Sequence, residues 1–263
     1  MAELVLKDGS KKQFPDGISL AEAVKQLSNS LAKKVLVAKV NGEVTDLRET
    51  IVDGSTVEFL TFADQEGKDT LRHTASHVMA QAIQHLFPGV KFAIGPSIEN
   101  GFYYDLDTEH RFTQEDFAAI EAEMAKIVKE NLPITKEVLS RADALKLFKD
   151  AGQDYKVELI EDLPEDAEIS FYQQGEFVDL CAGPHLMSTK PIKAFKLTSL
   201  AGAYWRGSEK NKMLTRIYGT SFTKKADLEE YLNRMEEAKK RDHNKLGREM
   251  KIFTTVDVIG QGH

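Results

Sequence analysis

Thr70-Leu-Arg-His-Thr-Ala-Ser-His-Val-Met-Ala-Gln-Ala-Ile-Gln-His-Leu-Phe87 divides this chain into two kinds of sequence. Leu71, Ala75, Val78, Ala82 and Leu86 recur at the spacing of one helical face, and Phe87-Pro88-Gly89 ends the pattern because proline cannot continue a helix. The stretch predicts a helix with one buried side. Immediately before it, Ala63-Asp-Gln-Glu-Gly-Lys68 is polar and aperiodic and reads as a linker.

On the N-terminal side of that linker the sequence is strand-rich. Leu4-Val5-Leu6 precedes a turn at Asp8-Gly9, Lys34 to Val40 ends at Asn41-Gly42, and Thr56 to Phe62 follows Asp53-Gly54. Among these, Ser19-Leu-Ala-Glu22-Ala-Val24 opens a helix with Glu22 in capping-box position. Short strands around one helix within residues 1–62 fit a β-grasp, ubiquitin-like domain. On the C-terminal side, Lys91 to Gly95 and Phe102 to Leu106 are strand-like around Asn100-Gly101, and Thr113-Gln-Glu-Asp116 opens a helix burying Phe117, Ile120, Met124 and Ile127. Ser140-Arg-Ala-Asp143 starts a shorter helix with Leu145 and Phe148. Lys156 to Ile160, Ile169 to Tyr172, Phe177 to Leu180, Ala194 to Leu197 and Met213 to Thr220 then read as strands. The fold class is α+β, with helices on a largely antiparallel sheet over residues 63–224. From Lys225 to about Met250 a Glu/Lys/Arg-rich stretch with Leu228, Leu232, Met235 and Ala238 reads as an exposed connector helix within residues 225–263.

Composition narrows the function classes. With 263 residues, 41% hydrophobic and 29% charged, the chain is sized for at least two folded units and is not disordered in composition. Nothing resembles a signal peptide, and no run approaches the ~20 apolar residues of a membrane span, so a cytoplasmic location is expected. A net charge of -7 argues against coating nucleic acid through general phosphate attraction. Any RNA contact is expected to be local. Lys190, Lys193, Lys196, Arg206, Lys210, Lys212 and Arg216 form one candidate basic stretch, which is equally a solvated strand face.

The chemistry lies in two short motifs. His73-Thr-Ala-Ser-His77 sets two imidazoles on one helical face, which alone is as readily a core or surface pair as a site. Asp179-Leu-Cys181-Ala-Gly-Pro-His185 gathers an acid, the chain's one cysteine and a third imidazole around a Gly-Pro turn. Histidines exchange protons near neutral pH and suit the activation of a hydrolytic water. Lys156, placed at a strand start, is either an oxyanion partner or an ordinary exposed lysine. His73, His77, Cys181 and His185 are also a donor set suited to tetrahedral zinc. A serine-hydrolase elbow and a P-loop are both lacking in the sequence.

These motifs, with Ile94-Gly-Pro, Asn100-Gly-Phe-Tyr-Tyr-Asp105, Ala201-Gly-Ala-Tyr-Trp-Arg-Gly207 and Arg216-Ile-Tyr-Gly-Thr220, resemble in order the editing domain of bacterial threonyl-tRNA synthetases. Residues 1–62 resemble that family's N-terminal TGS-like module, and Arg241-Asp-His243 with Lys245-Leu-Gly247 resembles the helix leading to its catalytic domain. The resemblance implies an N-terminal portion that ends at Val258-Ile-Gly-Gln-Gly-His263, before the class II ligase core, and so an aminoacyl-tRNA ester hydrolase without ligase activity. It implies a substrate, threonine-specific tRNA carrying serine, and a parent protein that dimerises through that core. By the same resemblance His73, His77, Lys156, Cys181 and His185 line the editing pocket, Asp179 holds the seryl group, and Tyr104 lies close to the terminal adenosine or aminoacyl group. His73 and Lys156 are expected to hold water and ester. The donor types alone favour zinc, as in alanyl-type editing domains, whereas the resemblance to the threonyl family implies no metal. The rival readings are a free-standing deacylase acting in trans and a non-catalytic module that binds RNA or protein.

Overall fold

The computed structural model describes residues 1–241. Residues 242–263, which include most of the Arg241–Gly247 motif and the end of the expected connector, lie outside the described residues. A first compact unit spans Met1–Thr223, and the second begins at Lys224.

The N-terminal module runs β1 (Ala2–Leu6), β2 (Lys11–Phe14), α1 (Leu20–Leu27), α2 (Asn29–Ala32), β3 (Val35–Val40), β4 (Glu43–Thr45) and β5 (Thr56–Thr61). The sheet order is β2-β1-β5-β3-β4, with β1 parallel to β5 and the other neighbours antiparallel. This is the β-grasp arrangement. The Ser19 hydroxyl accepts from the Glu22 amide and Glu22 reaches back to the Ser19 amide, so the expected capping box starts α1. Leu20, Ala23 and Val24 of α1 pack with Leu4, Phe14, Ala38 and Val57.

The expected linker is not one. Helix α3 (Gln65–Leu86) begins within it, five residues before the predicted start, so that the chain passes from β5 into the helix with hardly a break. Gly67 explains the missed start: a Cβ there would fall 1.9 Å from the Thr61 carbonyl oxygen, so only glycine lets the first turn of α3 seat against the end of β5. Lys39 of β3 pairs with Glu66 across the same joint.

The remainder of the first unit runs β6 (Lys91–Phe92), β7 (Ser97–Ile98), β8 (Gly101–Asp107), a 3-10 turn at Gln114–Asp116, α4 (Phe117–Glu130), β9 (Ile134–Leu139), α5 (Arg141–Asp150), α6 (Asp154–Asp162), β10 (Ile169–Gln174), β11 (Phe177–Leu180), β12 (Ala194–Tyr204) and β13 (Met213–Phe222). Two antiparallel sheets result, β12-β13-β8-β6 with β7 on β8, and β11-β10-β9. Helix α3 contacts β8, β13, α4 and β11, and its middle is buried on nearly every side. Ser140 caps α5 as expected, and Thr113 caps the 3-10 turn that leads into α4.

The strand expected at Lys156–Ile160 is instead α6. Tyr155, Val157 and Leu159 alternate like a strand, but Tyr155 and Leu159 share one apolar cluster while Val157 and Ile160 join another, which requires helical spacing. Its N-cap, Gln153, makes no side-chain cap bond, so the start carried no signal. Strand β12 runs past the expected Leu197 end to Tyr204. The second unit's helix α7 (Lys225–Lys240) carries i,i+4 ion pairs Lys225–Glu229, Arg234–Glu230 and Lys240–Glu236, as its charge pattern predicts. Among the described residues no helix is long and apolar enough to cross a membrane.

Candidate active site

Helix α3 supplies the first two imidazoles. His73 and His77 stand one turn apart with ring centroids 5.2 Å apart, edge to face. Strand β11 supplies the acid by alternation: Phe177 and Asp179 turn toward α3, while Val178 and Leu180 turn to the apolar cluster around Phe148 and Ile160. A two-residue turn, Gly175-Glu176, joins β10 to β11 and sets Gln174 opposite Phe177. After β11 the chain turns at Gly183-Pro184, whose peptide bond is cis. Gly183 has φ +77°, and a Cβ on it would lie 2.1 Å from the Tyr172 hydroxyl, so this position excludes a side chain.

That turn brings His185 onto the α3 pair. Its ring centroid is 4.2 Å from those of both His73 and His77. Cys181 Sγ lies 3.4 Å from His73 Nε2 and 3.3 Å from His185 Nε2, and accepts the Gly183 N–H at 3.3 Å. One donor atom from each of His73, His77, Cys181 and His185 falls within 4.8 Å of every other. By donor type and spacing the quartet suits a tetrahedral metal ion as well as a proton-transfer cluster. Thr74 was not singled out from the sequence. Its hydroxyl donates to the Thr70 carbonyl, accepts the Leu186 N–H at 3.1 Å and sits 3.0 Å from His185 Nδ1.

Beneath the imidazoles lies a buried charge network. Lys156 is only 3% exposed, not a surface lysine, because α6 turns it inward. Its Nζ is 2.6 Å from Asp179 Oδ1 and 3.0 Å from the Tyr104 hydroxyl, which donates to Asp179 Oδ2 at 2.5 Å. His77 Nε2 is 3.2 Å from the same carboxylate, which fixes Nε2 as the protonated ring nitrogen. Tyr104 is fully buried, and its hydroxyl is held between Lys156 and Asp179.

Burial sets the protonation states. It holds His73 below the ordinary histidine value despite Asp179, drives His77 down to about 3, and takes His185 well below, with His73 and His77 adding to the effect. All three are neutral bases at pH 7. Burial also pushes the Cys181 thiol up to about 12, so it is S–H and a poor nucleophile. Burial would raise Asp179, but Lys156, His77 and Tyr104 outweigh it and keep the carboxyl ionised below its usual range. Burial and Asp179 hold the Tyr104 phenol protonated.

The pocket opens past Val44, Thr70, His73, Ser97, Gly183 and Pro184, with Glu66 and Asp69 also at its rim. His73 is the cluster imidazole that lines this mouth. The basic stretch is largely neutralised: Lys196 pairs with Glu121, Arg206 with Asp162, Lys212 with Asp107 and Arg216 with Asp105.

Comparison with known proteins agrees with this architecture. The TGS domain family matches residues 3–61, and the family described as threonyl and alanyl tRNA synthetase second additional domain matches residues 169–218, which hold Asp179, Cys181 and His185. The chain is 62% identical over 253 residues to a threonine–tRNA ligase of Clostridium novyi, covering 96% of this chain and 40% of the relative. For the threonine–tRNA ligase of Finegoldia magna the identity is 59%, and for that of Syntrophomonas wolfei 55%, with 97% and 98% of this chain covered and 40% of each relative. The chain thus spans about two-fifths of the length of the curated relatives it matches. With its TGS and second additional domains, it is homologous, nearly end to end, to the N-terminal region of threonine–tRNA ligases.

Proposed function

We propose that this chain is the proofreading part of a threonine–tRNA ligase and hydrolyses the ester of threonine-specific tRNA mischarged with serine. The observation that carries this reading is the convergence of three neutral imidazoles and a thiol over the Lys156–Asp179–Tyr104 network, below a mouth open to solvent. With Glu66 already paired to Lys39, Asp69 is the rim carboxylate that disfavours a phosphate and favours the α-ammonium of an aminoacyl ester, so the sugar-ester end is the part of a tRNA that suits the pocket.

In this reading His73, neutral and at the mouth, takes a proton from water as its oxygen attacks the ester carbonyl carbon. Lys156, enclosed against Asp179, serves this step from beneath by holding the Asp179 carboxylate and with it His77 in place. The carbon–oxygen bond to the ribose then breaks, and His73 returns the proton to the ribose oxygen, releasing serine and the tRNA 3′ end. Cys181, His185 and Asp179 shape the wall against the seryl side chain. One methyl distinguishes threonine from serine and is worth only about 1–3 kcal/mol in a synthetic pocket, so a second, size-excluding site is needed. The extra methyl of threonine meets that wall or displaces the water. We assign no cofactor to this step, on the strength of the threonyl-family likeness, although the donor quartet by itself accommodates zinc.

The test is single-turnover hydrolysis of seryl- and threonyl-tRNA by the chain. Seryl-tRNA is expected to be cleaved and threonyl-tRNA spared. Equal rates would remove the selectivity, and no cleavage would remove the reading. One zinc per chain by elemental analysis, with activity lost to a chelator, would overturn the metal-free assignment.

A further inference from the structure

The β-grasp module reaches into the pocket. Asp46 and Arg48 follow β4 in that module, yet most of their polar contacts are with residues far along the chain. Asp46 is 3% exposed. Its Oδ1 accepts the His185 backbone N–H at 2.7 Å and its Oδ2 accepts the Tyr172 hydroxyl. Arg48 pairs with Asp46 at 2.6 Å and donates to the carbonyls of Leu186 at 2.7 Å, Ile134 at 2.9 Å and His185 at 3.3 Å. Its guanidinium also lies 5.4 Å from the centre of the Tyr172 ring.

Both backbone groups of His185 are therefore held by the N-terminal module, N–H by Asp46 and carbonyl by Arg48, while its ring meets Thr74 and Cys181. Tyr172, the other partner of Asp46, fills the space that a Gly183 Cβ would take, so the same carboxylate braces the turn from two sides. A buried ion pair is weak as a source of stability, because an apolar packing of equal volume serves as well. Its five hydrogen bonds to Ile134, Tyr172, His185 and Leu186, all outside the N-terminal module, instead define a geometry. Misplacement of a reacting group by 1 Å costs about 10²-fold in rate.

We propose that Asp46 and Arg48 are positioning residues of the hydrolytic pocket, so that the β-grasp module is a structural part of the editing site and not an appended binding domain. This rests on the hydrolytic reading above. They set the His185 backbone, and through it the distance of its imidazole from Cys181 and His73.

The experiment uses the whole chain and the variants Asp46→Ala, Asp46→Asn and Arg48→Lys, with single-turnover hydrolysis of seryl-tRNA at graded protein concentration and amide exchange over residues 182–188. Asparagine keeps a side-chain oxygen for the His185 N–H; alanine does not. Asp46→Ala is expected to lower the saturated rate constant about tenfold or more with half-saturation moved less than about threefold, and Asp46→Asn to stay within about threefold of the parent. Amides 182–188 should exchange faster in Asp46→Ala than in Asp46→Asn. A folded Asp46→Ala that hydrolyses within about threefold of the parent, or a loss equal in Ala and Asn, overturns the proposal. Should Asp46→Ala not melt cooperatively, Arg48→Lys carries the same decision: a folded variant about fivefold slower supports it, and parental activity sinks it. If the parent does not hydrolyse seryl-tRNA, the hydrolytic reading has failed, and unchanged exchange in Asp46→Ala would separately show that the module does not hold the turn.

Discussion

Adjacent tyrosines on β8 face opposite sides of the sheet, and each meets a cation that is paired with an acid. Tyr103 lies under the Arg216 guanidinium, 3.8 Å from the ring centre, and Arg216 grips Asp105 with two hydrogen bonds of 2.7 and 2.9 Å. Arg216 and Asp105 are directly opposed on β13 and β8, so this trio pins two strands in register. Tyr104, on the other face, joins Lys156 and Asp179. The two trios share their ingredients and differ in what lies next to them. The arginine trio is partly open and packs on Tyr218, whereas the lysine trio is fully enclosed and touches His77 at 3.2 Å. An ion pair is informative about function when something reactive is wired to it.

The strongest way to break this comparison is to remove His73 or the lysine. His73→Ala or Lys156→Ala is expected to slow seryl-tRNA hydrolysis by on the order of 10²-fold or more. Lys156→Ala also strands Asp179 without its partner, at a cost of about 3–5 kcal/mol in urea unfolding. Rates within a few-fold of the parent for either would remove that residue from the mechanism.

Acid provides a second, smaller lever. His73, His77 and His185 are held neutral in the folded chain, His77 down to about 3, but titrate near the ordinary value of about 6.5 when unfolded. Below about 6.5 the unfolded chain binds more protons, so stability is complete above that pH and falls as pH drops, by about 1.4 kcal/mol per pH unit for each histidine still neutral. Asp179 adds a loss in the same direction only at lower pH, as the unfolded carboxyl takes up a proton near its ordinary value while the folded one is still ionised. Urea midpoints at pH 7.5, 6 and 5 measure this. A flat series would mean that the imidazoles are not held neutral.

The smallest expected effect on activity sharpens the contrast. Arg216→Ala should leave the hydrolysis rate within about threefold while lowering stability by roughly 1–3 kcal/mol, since Asp105 loses both hydrogen bonds. A loss of activity as large as that for Lys156 would show that the arginine face also serves the pocket.

Much of the site was legible because it is local. His73 and His77 announce themselves by helical spacing, and Asp179, Cys181 and His185 by a short motif around a Gly-Pro turn. Lys156 was legible as a residue but not in its setting: an apolar alternation hid a helix, and with it the burial that pairs the lysine with Asp179. Asp46, Arg48 and Tyr172 carried no signal, since an acid after a short strand and an arginine in a loop are ordinary until the chain brings residues more than 80 positions away against them. The joint at Gly67 was hidden for the same reason, because a polar stretch with a glycine looks like a linker unless the Thr61 carbonyl is seen beside it.

The Gly175-Glu176 turn also acts as a counting device for chemistry. Because β11 is a short strand that pairs, among the described residues, only with β10, its facing is set by how many residues that turn contains. Side chains in a strand alternate, so a slip of one position exchanges the occupants of the two faces. Val178 would then sit under the imidazoles, and the Asp179 carboxylate would be pressed among Phe148 and Ile160. A single inserted residue far from the mouth thus reaches the catalytic centre by parity alone, with every residue of the site still present in the chain.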